Sequence, residues 1–282
     1  MARSVYLTKS DFKKARECPT KLFYKKKKYP SRLDDDPYLA FLADGGFMVE
    51  TMSRALYPDG KMIGDWGNPK KAHEAAVKAV KGGNGTWFEP TVIDDDFLVR
   101  VDILRRQGTV LELIEVKSSS IEPVDDLKSP FRGKRGDISS KWTPYLEDVT
   151  FQALVLESAF PGFNVKPYLC VVDKSKNATA ASTYDRFAMI APPEGEPRWR
   201  AEFAYLGEPS DLEEDHLLAF VDVSEEVAEL REEVDRARQE FAKSLRKGKV
   251  RKIESRPRYE CKKCEYRLKD PKGKSGFKEC WG

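Results

Sequence analysis

The sequence lacks any long apolar run. No stretch approaches the roughly 20 apolar residues that a helix needs to cross a bilayer, and the opening residues MARSVYLTKSDF lack the apolar core of a signal peptide. Membrane-spanning and secreted proteins are therefore disfavoured, and the sequence predicts a cytoplasmic protein without a membrane partner. Its 282 residues, 40% of them hydrophobic, are enough to bury a substantial core.

Cysteine and histidine are both scarce. Five cysteines in a chain of this length are too few and too unevenly placed for a disulfide scaffold, so metal binding is the better expectation for any group they form. Of the two histidines, His73 lies among alanines and His216 lies in an acidic stretch. Both are expected to be structural or at the surface, with His73 the stronger candidate for a metal ligand.

The chain also lacks a strong charge imbalance. Its 50 Lys and Arg residues offset 47 Asp and Glu residues, and the net charge of +3 does not by itself indicate a nucleic-acid partner. Two local basic clusters are either solvated surfaces or phosphate contacts. The first is Lys25 to Lys28, and the second comprises Arg246, Lys247, Lys249, Arg251, Lys252, Arg256 and Arg258.

Helical patterns flank a strand-rich centre. A cap at Thr8 or Ser10 precedes a first helix that is interrupted at Cys18-Pro19. The last helix has a predicted cap at Ser224 and an apolar stripe expected to pack in a core or against another subunit, formed by Val227, Leu230, Val234, Ala237, Phe241 and Leu245. The predicted helices cover residues 11–24, 44–56, 68–80, 145–160 and 224–245.

The pattern changes to short, β-branched, alternating runs between residues 86 and 118. The runs TWFEPTVI, FLVRVDILRR and TVLELIEVKSS predict a three-stranded meander. Further strands are predicted at residues 168–172, 184–190, 201–206 and 217–223. The order of helix, meander, helix and strand is that of an α/β protein, and the absence of repeats or low-complexity linkers favours one domain.

One hairpin of the meander concentrates charged residues. With a turn at Gln107-Gly108, Asp102 faces Leu113 and lies diagonal to Glu115. Side-chain alternation then places Asp102, Glu115 and Lys117 on one face of the sheet. The opposite face is expected to turn to the core, with Val99, Val101, Ile103, Ile114 and Val116.

These residue types suit phosphodiester chemistry. Two carboxylates and the backbone carbonyl of Val116 would offer oxygen ligands to Mg²⁺ or Mn²⁺. Lys117 beside such an ion would position or deprotonate a water, or stabilise negative charge developing on phosphorus. The plainer alternative is a hairpin with alternating charges on a solvated face.

The order of the charged residues resembles the PD-(D/E)xK superfamily, and in particular its RecB-like branch. Glu50 lies in a helix before the meander, Asp102 and Glu115-x-Lys117 follow in it, and Gln152 lies in the next helix. The resemblance implies that Glu50 assists metal or water binding and that Gln152 lies near the metal or the DNA. Two departures are the absence of a histidine near Glu50 and Leu156 where a tyrosine is common.

The cysteines suggest a second site. Cys261-x-x-Cys264 and Cys280 supply three thiolates near one end of the sequence, and Cys18 supplies a possible fourth. Four cysteines suit zinc or an iron-sulfur cluster, and their spacing does not distinguish the two. Cys170, within the apolar run YLCVV, is expected to be a buried core residue.

The segments around these cysteines extend the resemblance. LTKSDFKKARECPTKLFY, VRVDILRRQG, LEDVTFQALVLE and CKKCEYR with GFKECWG resemble the iron-sulfur nucleases that include CRISPR-associated RecB-like exonucleases and the AddB nuclease domain. The resemblance implies that Cys18, Cys261, Cys264 and Cys280 hold a structural 4Fe-4S cluster that joins the two ends of the chain. The long gap between Cys264 and Cys280 keeps zinc as the alternative.

The resemblance implies a restriction-endonuclease-like α/β core. A single domain would comprise a helical part (1–43), the nuclease core (44–175), extra strands (176–223), and a long helix with the cysteine-bearing tail (224–282). The implied activity is metal-dependent hydrolysis of DNA, preferably single-stranded, as an exo- or endonuclease, with a helicase or a repair or defence protein as a possible partner. The alternatives are a nucleic-acid-binding module with weak or no cleavage and a zinc-stabilised scaffold.

Overall fold

The computed structural model describes residues 5–34, 37–63, 67–122, 129–177, 185–190, 202–213, 216–268 and 273–281. The starts of two predicted strands, Tyr184 and Ala201, lie outside this part of the chain. The described residues form both helices and strands, in agreement with the α/β prediction. None of these helices combines the length and apolar character needed to cross a membrane.

Each predicted helix has a counterpart in the structure, but the first and last residues of most helices differ from the predicted ones. In chain order they are α1 Lys9–Glu17, α2 Pro19–Lys26, α3 Pro37–Ala55, α4 Pro69–Gly82, α5 Thr143–Ala159, α6 Ser210–Glu213, α7 Ser224–Lys243 and α8 Gly276–Trp281. The strands are β1 Leu7–Thr8, β2 Lys61–Met62, β3 Gly85–Phe88, β4 Thr91–Asp94, β5 Phe97–Arg100, β6 Ile103–Gln107, β7 Val110–Ile121, β8 Asn164–Asp173, β9 Phe187–Ile190, β10 Glu202–Tyr205 and β11 Leu218–Asp222.

A mixed six-stranded sheet is the centre of the fold. Its strand order is β11-β8-β7-β6-β3-β2, and β7 and β8 run parallel through a crossover that contains α5. A three-stranded sheet, β1-β5-β4, and the hairpin β9-β10 complete the described strands. Parallel neighbours joined through a helix require helical cover, which explains why apolar residues of β7 and β8 pack into cores on both faces of the sheet.

Helices cover both faces of the central sheet. On one face, α5 packs against β8 and α7, while Phe12 of α1 stacks on Phe151 of α5 with ring centroids 4.9 Å apart. On the other face, Met52 of α3 packs in a second cluster with Ile114 and Val116. The protein therefore has helix, sheet and helix layers around two apolar cores. The apolar stripe predicted for the last helix is confirmed as part of the larger core.

The first two helices follow the predicted caps. The Thr8 side chain accepts a hydrogen bond from the Asp11 amide, while the Asp11 carboxylate accepts one from the Thr8 amide, so the start of α1 is a capping box. Cys18 has extended backbone angles and ends α1, and Pro19 then begins α2. The predicted interruption at Cys18-Pro19 is confirmed, because proline lacks the amide that would continue α1.

One predicted helix start and one predicted helix cap are wrong. The helix predicted from residue 44 begins at Pro37, whose fixed φ suits a first helical turn. In α7 the cap position is Val223 rather than Ser224, and the Asp222 carboxylate accepts a hydrogen bond from the Ser224 amide at 2.9 Å. An acidic side chain two residues earlier thus performs the capping role that was assigned to the serine.

The meander is bent, which the sequence analysis did not predict. The run predicted as one strand across Glu89-Pro90 forms β3 and β4, and the run across Val101-Asp102 forms β5 and β6. Glu89 has a φ of +55°, and Pro90 has no amide to donate to a strand ladder. Because of this bend, Val99 and Val101 pack in the larger core, away from Ile103, Ile114 and Val116 in the second one.

Asp11 supports the start of α1 with its charge as well as its cap. Its carboxylate is buried and pairs with Lys25 at 3.0 Å and Lys26 at 2.5 Å. Burial alone would raise the pKa of Asp11, but Lys26 and Lys25 outweigh burial and lower it. This carboxylate therefore stabilises the fold above its unfolded-state pKa of about 3.9, and the stabilisation is lost as the pH falls through the lower folded-state pKa.

We expect Asp11→Asn to lower the free energy of unfolding at pH 7 by about 3 kcal/mol, the cost of removing one charge from a buried pair. Urea unfolding at pH 7 and at pH 3 measures the change, which should shrink at the lower pH. Asp34→Asn is the control, because Asp34 is exposed and accepts a hydrogen bond from the Ser31 amide within its own turn. An equal loss at both pH values would contradict the ion-pair explanation.

Candidate active site

The hairpin β6-β7 sets the positions of the two predicted carboxylates. Its loop is Gly108-Thr109, closed by the pair Gln107 and Val110, and Gly108 adopts a φ of +61°. The pairing of Ile103 with Ile114 puts Asp102 opposite Glu115, so the predicted pairing with Leu113 is wrong. The register differs by two residues, and because side chains alternate with a period of two, the predicted face is unchanged.

Glu115 is a fully buried carboxylate with four hydrogen bonds. Lys9 from α1 donates to both oxygens at 2.9 Å, Lys117 donates to Oε1, and Gln152 from α5 donates to Oε2 at 2.7 Å. Burial alone would raise the pKa of Glu115, but the charges of Lys117 and Lys9 hold it far below its usual value. The carboxylate is therefore ionised within the core.

Asp102 lies at the bend between β5 and β6. Its Oδ2 accepts a hydrogen bond from the Val116 amide at 2.7 Å, and its Oδ1 lies 3.5 Å from the Lys9 ammonium group. Burial and the neighbouring Glu115 charge raise the pKa of Asp102 to about 7, against the opposing effect of Lys9. Two adjacent carboxylates with opposite pKa shifts mark a centre that has more negative charge than its own cations balance.

Lys117 projects from an irregular part of β7. The ladder between β7 and β8 is interrupted between Val116 and Ser120, and such irregularities often redirect a side chain. The Lys117 ammonium group contacts Glu115 and lies 3.3 Å from Asp148 Oδ2. Burial would lower the pKa of Lys117, but these two carboxylates outweigh burial and raise it, so the side chain is a cation at neutral pH.

Glu50 joins the centre from α3 together with Glu89 from the bend. Carboxylate oxygens of Glu50, Glu89 and Asp102 all lie within 4.8 Å of one another, close enough to share an ion. Burial raises the pKa of Glu50 to about 7, and Arg54, which pairs with both glutamates, opposes this shift. The structure thus brings Glu50 beside Asp102, and its role in metal or water binding stays a prediction.

Gln152 occupies the predicted position over the sheet. It is fully buried on α5, where its amide also lies 3.4 Å from the Asp148 carbonyl oxygen one turn earlier. Within the described part of the chain, Gln152 Oε1 and Asp148 Oδ1 are buried without a hydrogen-bond partner. Buried polar atoms of this kind are uncommon, and here they lie among the residues that contact Lys117 and Glu115.

Three residues of the centre were missed by the sequence analysis, namely Lys9, Glu89 and Asp148. Asp148 had a usable signal, since it precedes Gln152 by one helical turn and faces the same way. Glu89 was hidden inside a run predicted to be a straight strand. Lys9 gave no local signal, because its contact with Glu115 joins residues that are far apart in sequence.

Neither histidine belongs to the centre. His73 Nδ1 accepts a hydrogen bond from the Ile93 amide at 3.1 Å, which ties α4 to β4. His216 Nδ1 accepts one from the Leu218 amide at 3.2 Å. Burial lowers the pKa of both side chains, so they remain neutral at pH 7. Their contacts are structural, in agreement with the preferred expectation from the sequence.

The first basic cluster is only partly exposed. Lys25 and Lys26 pair with Asp11, whereas Lys27 and Lys28 at the end of α2 are exposed. In the second cluster, Arg246 pairs with Asp96 at 2.7 Å. Some of these charges therefore serve the fold, and the solvated members carry any contact with phosphate.

The cysteine-bearing tail lies against the first two helices. Glu265 pairs with Lys14 at 2.8 Å, and the Arg258 side chain donates to the Glu17 carbonyl oxygen beside Cys18. The Tyr24 hydroxyl group lies 3.2 Å from Cys280 Sγ. The segments that carry Cys18, Cys261, Cys264 and Cys280 therefore meet, and all five cysteines are free thiols. Among the described residues, however, no three of these thiol groups lie within 4.8 Å of one another.

Cys170 differs from the other four cysteines. It is fully buried in β8, and burial raises the pKa of its thiol. It packs with Ile114 and Val116 in the second core. The prediction that Cys170 is a core residue is confirmed.

The excess of buried carboxylates predicts a pH-dependent cost to stability. Because the folded-state pKa of Asp102 is above its unfolded-state value, ionisation of Asp102 destabilises the metal-free fold increasingly as the pH rises from about 4 to about 7. We expect Asp102→Asn to raise the free energy of unfolding at pH 8 by at least about 1 kcal/mol, and the gain should disappear near pH 4.

Urea unfolding in the presence of a chelator measures this effect. Glu112→Gln is the control, because Glu112 pairs with Arg105 outside the centre. A destabilised Asp102→Asn variant at pH 8 would show that the hydrogen bond from the Val116 amide outweighs the repulsion between carboxylates.

Comparison with known proteins found no relative: no protein-family model matches the chain, and no curated protein gives a significant match.

Proposed function

We propose that the protein is a metal-dependent DNA nuclease with a restriction-endonuclease-like core. The observation that carries the proposal is the meeting of Asp102, Glu115 and Lys117 on one sheet face, with Gln152 on the following helix. A solvated hairpin face would not bury Glu115 completely or surround it with donors from α1, β7 and α5. The arrangement favours a site over the plainer alternative of alternating surface charges.

The donor set of the centre fits a hard divalent cation. Every candidate ligand in it is an oxygen, which suits Mg²⁺ or Mn²⁺ better than the softer metals that prefer nitrogen or sulfur. Asp102, Glu115 and Glu50 are the proposed carboxylate ligands, and Val116 supplies a backbone carbonyl. When bound, such an ion would polarise the scissile phosphate and lower the pKa of a bound water.

The residues of the chain have separate roles in this proposal. Lys117 holds the attacking water or stabilises the charge that develops on the phosphate oxygens. Asp148 and Glu115 together fix the Lys117 ammonium group, and Gln152 fixes the orientation of the Glu115 carboxylate. The Val116 amide holds Asp102 Oδ2, so Oδ1, which lies 3.5 Å from the Lys9 ammonium group, is the oxygen proposed for the cation.

Single-stranded DNA is the proposed substrate, as the resemblance implies. Exposed Lys27 and Lys28, which follow α2, are candidates for contacts with the DNA backbone, and these contacts would weaken with added salt. A repair or defence protein, such as a helicase, is the partner class proposed with it. The alternative of a binding module without cleavage shares the same surface and differs in the chemistry at Lys117.

A structural cluster is the site proposed for the cysteines. The segments that carry Cys18, Cys261, Cys264 and Cys280 contact one another, which supports a shared site. We assign a 4Fe-4S cluster to these four residues, with zinc as the alternative. Such a site would lock the tail against α1 and α2, closing a loop of nearly the whole chain and stabilising the folded state.

The nuclease proposal is tested by cleavage of end-labelled linear and circular single-stranded DNA with Mg²⁺ or Mn²⁺. We expect Lys117→Ala to lose at least about 100-fold in rate, because it removes a cation positioned for the transition state. Lys166→Ala is the control, since Lys166 lies on β8 away from the centre and pairs with Asp222 of β11. Cleavage of the circle would show that no DNA end is required.

A folded protein that cleaves neither substrate with either metal would overturn the nuclease proposal. DNA binding that is retained in the same samples would then favour the binding module. Equal rates for wild type and Lys117→Ala would show that the cleavage belongs to another group or to a contaminant.

The cluster assignment is tested by anaerobic purification. We expect iron and sulfide in a ratio near that of a 4Fe-4S cluster, together with brown colour, and Cys261→Ser should lose both. Cys170→Ser should retain them, because Cys170 lies in the core of β8. Zinc in place of iron would support the scaffold alternative, and the absence of both metals from folded protein would contradict a four-cysteine site.

A further inference from the structure

The Lys9 ammonium group occupies the position that a divalent cation bound by Glu115 and Asp102 would take. Its ammonium group lies 2.9 Å from each oxygen of Glu115 and 3.5 Å from Asp102 Oδ1. A divalent cation such as Mg²⁺ binds carboxylate oxygens at about 2.0 to 2.1 Å. An ion that bridged Glu115 and Asp102 would therefore overlap the site of the ammonium group.

The hydrogen bonds of Glu115 also compete with a metal ion for the lone pairs of its carboxylate. A carboxylate offers about four lone-pair directions. Oε1 accepts from Lys9 and Lys117, and Oε2 accepts from Lys9 and Gln152. All four directions are thus in use, and an ion can ligate Glu115 only if one donor leaves.

Lys9 is the donor best placed to leave. Gln152 is fully buried, and Lys117 is held by a second carboxylate, Asp148. The Lys9 side chain is 23% exposed and extends from the first residue of α1. Its departure frees one direction on each Glu115 oxygen and also frees Asp102 Oδ1, which are the positions that the cation requires.

The charges of the centre also permit this exchange. The network of the centre consists of two ion-paired groups of described residues, which meet where Glu50, Glu89 and Asp102 approach one another. It contains five carboxyl groups and four cations, so one negative charge is unmatched when all are ionised. Replacing one ammonium group by a divalent cation balances the network. Its members are Glu50, Glu89, Asp102, Glu115 and Asp148 with Lys9, Arg54, Arg100 and Lys117.

We propose that Lys9 is the resident cation of the centre, which neutralises Glu115 and Asp102 in the metal-free protein and is displaced from both when a divalent cation binds. The inference rests on the proposed metal site and adds a positioning residue to it. Lys9 keeps the carboxylates ordered before the cation arrives. Metal binding is then an exchange of cations, with an affinity reduced by the loss of the Lys9 contacts.

The test measures Mn²⁺ affinity by calorimetry or by the loss of the free-ion electron paramagnetic resonance signal. We expect Lys9→Met to bind Mn²⁺ at least about tenfold more tightly than wild type. Changes in groups that contact metal ligands usually alter metal affinity by this amount. Lys9→Arg should bind more weakly than wild type, because the guanidinium group holds a carboxylate through two parallel hydrogen bonds. Lys14→Met is the control, since Lys14 lies on the same helix with similar exposure and pairs with Glu265.

Thermal unfolding gives a second readout that does not depend on activity. Metal-free Lys9→Met should melt below wild type, since Glu115 and Asp102 lose a cation, and Mn²⁺ should raise its melting temperature more than that of wild type. If Lys9→Met does not fold without metal, the loss of affinity expected for Lys9→Arg decides the question.

The outcomes separate this inference from the proposed function. Wild type that binds Mn²⁺ with the same affinity as Lys9→Met, or more tightly, would overturn the exchange and leave the metal site intact. No Mn²⁺ binding by wild type, Lys9→Met or Lys14→Met would overturn both the exchange and the metal-dependent nuclease.

Discussion

The ionised carboxylate of Glu115, buried between a sheet and two helices, is the constraint on which the centre depends. An unpaired carboxylate at this depth would be strongly destabilising, so the fold must bring donors to it. Three elements do so, with Lys9 from α1, Lys117 from β7 and Gln152 from α5. The mutual positions of these elements are therefore tied to one side chain as well as to the apolar cores.

The bend in the meander supplies the rest of the geometry. The amides of Glu89 and Val101 cross-link the two bends, donating to the carbonyl oxygens of Asp102 and Pro90 respectively, each at 3.2 Å. At this corner the strands pass from the central sheet into the β1-β5-β4 sheet. The corner brings the Glu89 carboxylate beside those of Asp102 and Glu50, where Arg54 partly compensates the repulsion. Left-handed backbone at Glu89 is unfavourable for a residue with a side chain, and its occurrence here indicates that the surroundings enforce it.

The sequence was informative where a local period or a local break decides the structure. Alternation placed Asp102, Glu115 and Lys117 on one face even though the pairing was wrong by two residues, because a shift of two residues preserves every side chain's face. Cys18-Pro19 marked a helix boundary because proline has no backbone amide hydrogen to continue the helix. Pro90 carried the same kind of signal for the bend, but a proline at a sheet edge is also acceptable, so the sequence did not distinguish the two. The role of Lys9 depends on tertiary packing alone, and no single-sequence pattern reports it.

Helix α1 connects the two candidate sites. It starts with Lys9 at the carboxylate centre and ends at Cys18, where the cysteine-bearing tail is held through Arg258 and Glu265. Nine helical residues span only about 13 Å, and a helix of that length behaves as a rigid rod. Phe12 anchors it in the core by stacking on Phe151 of α5, the helix that also carries Gln152. The same short helix therefore contacts the cysteine-bearing tail, the carboxylate centre and α5. If the four cysteines hold a cluster as proposed, α1 would be fixed at its Cys18 end by that cluster and at its Lys9 end by Glu115, although no described residue contacts both.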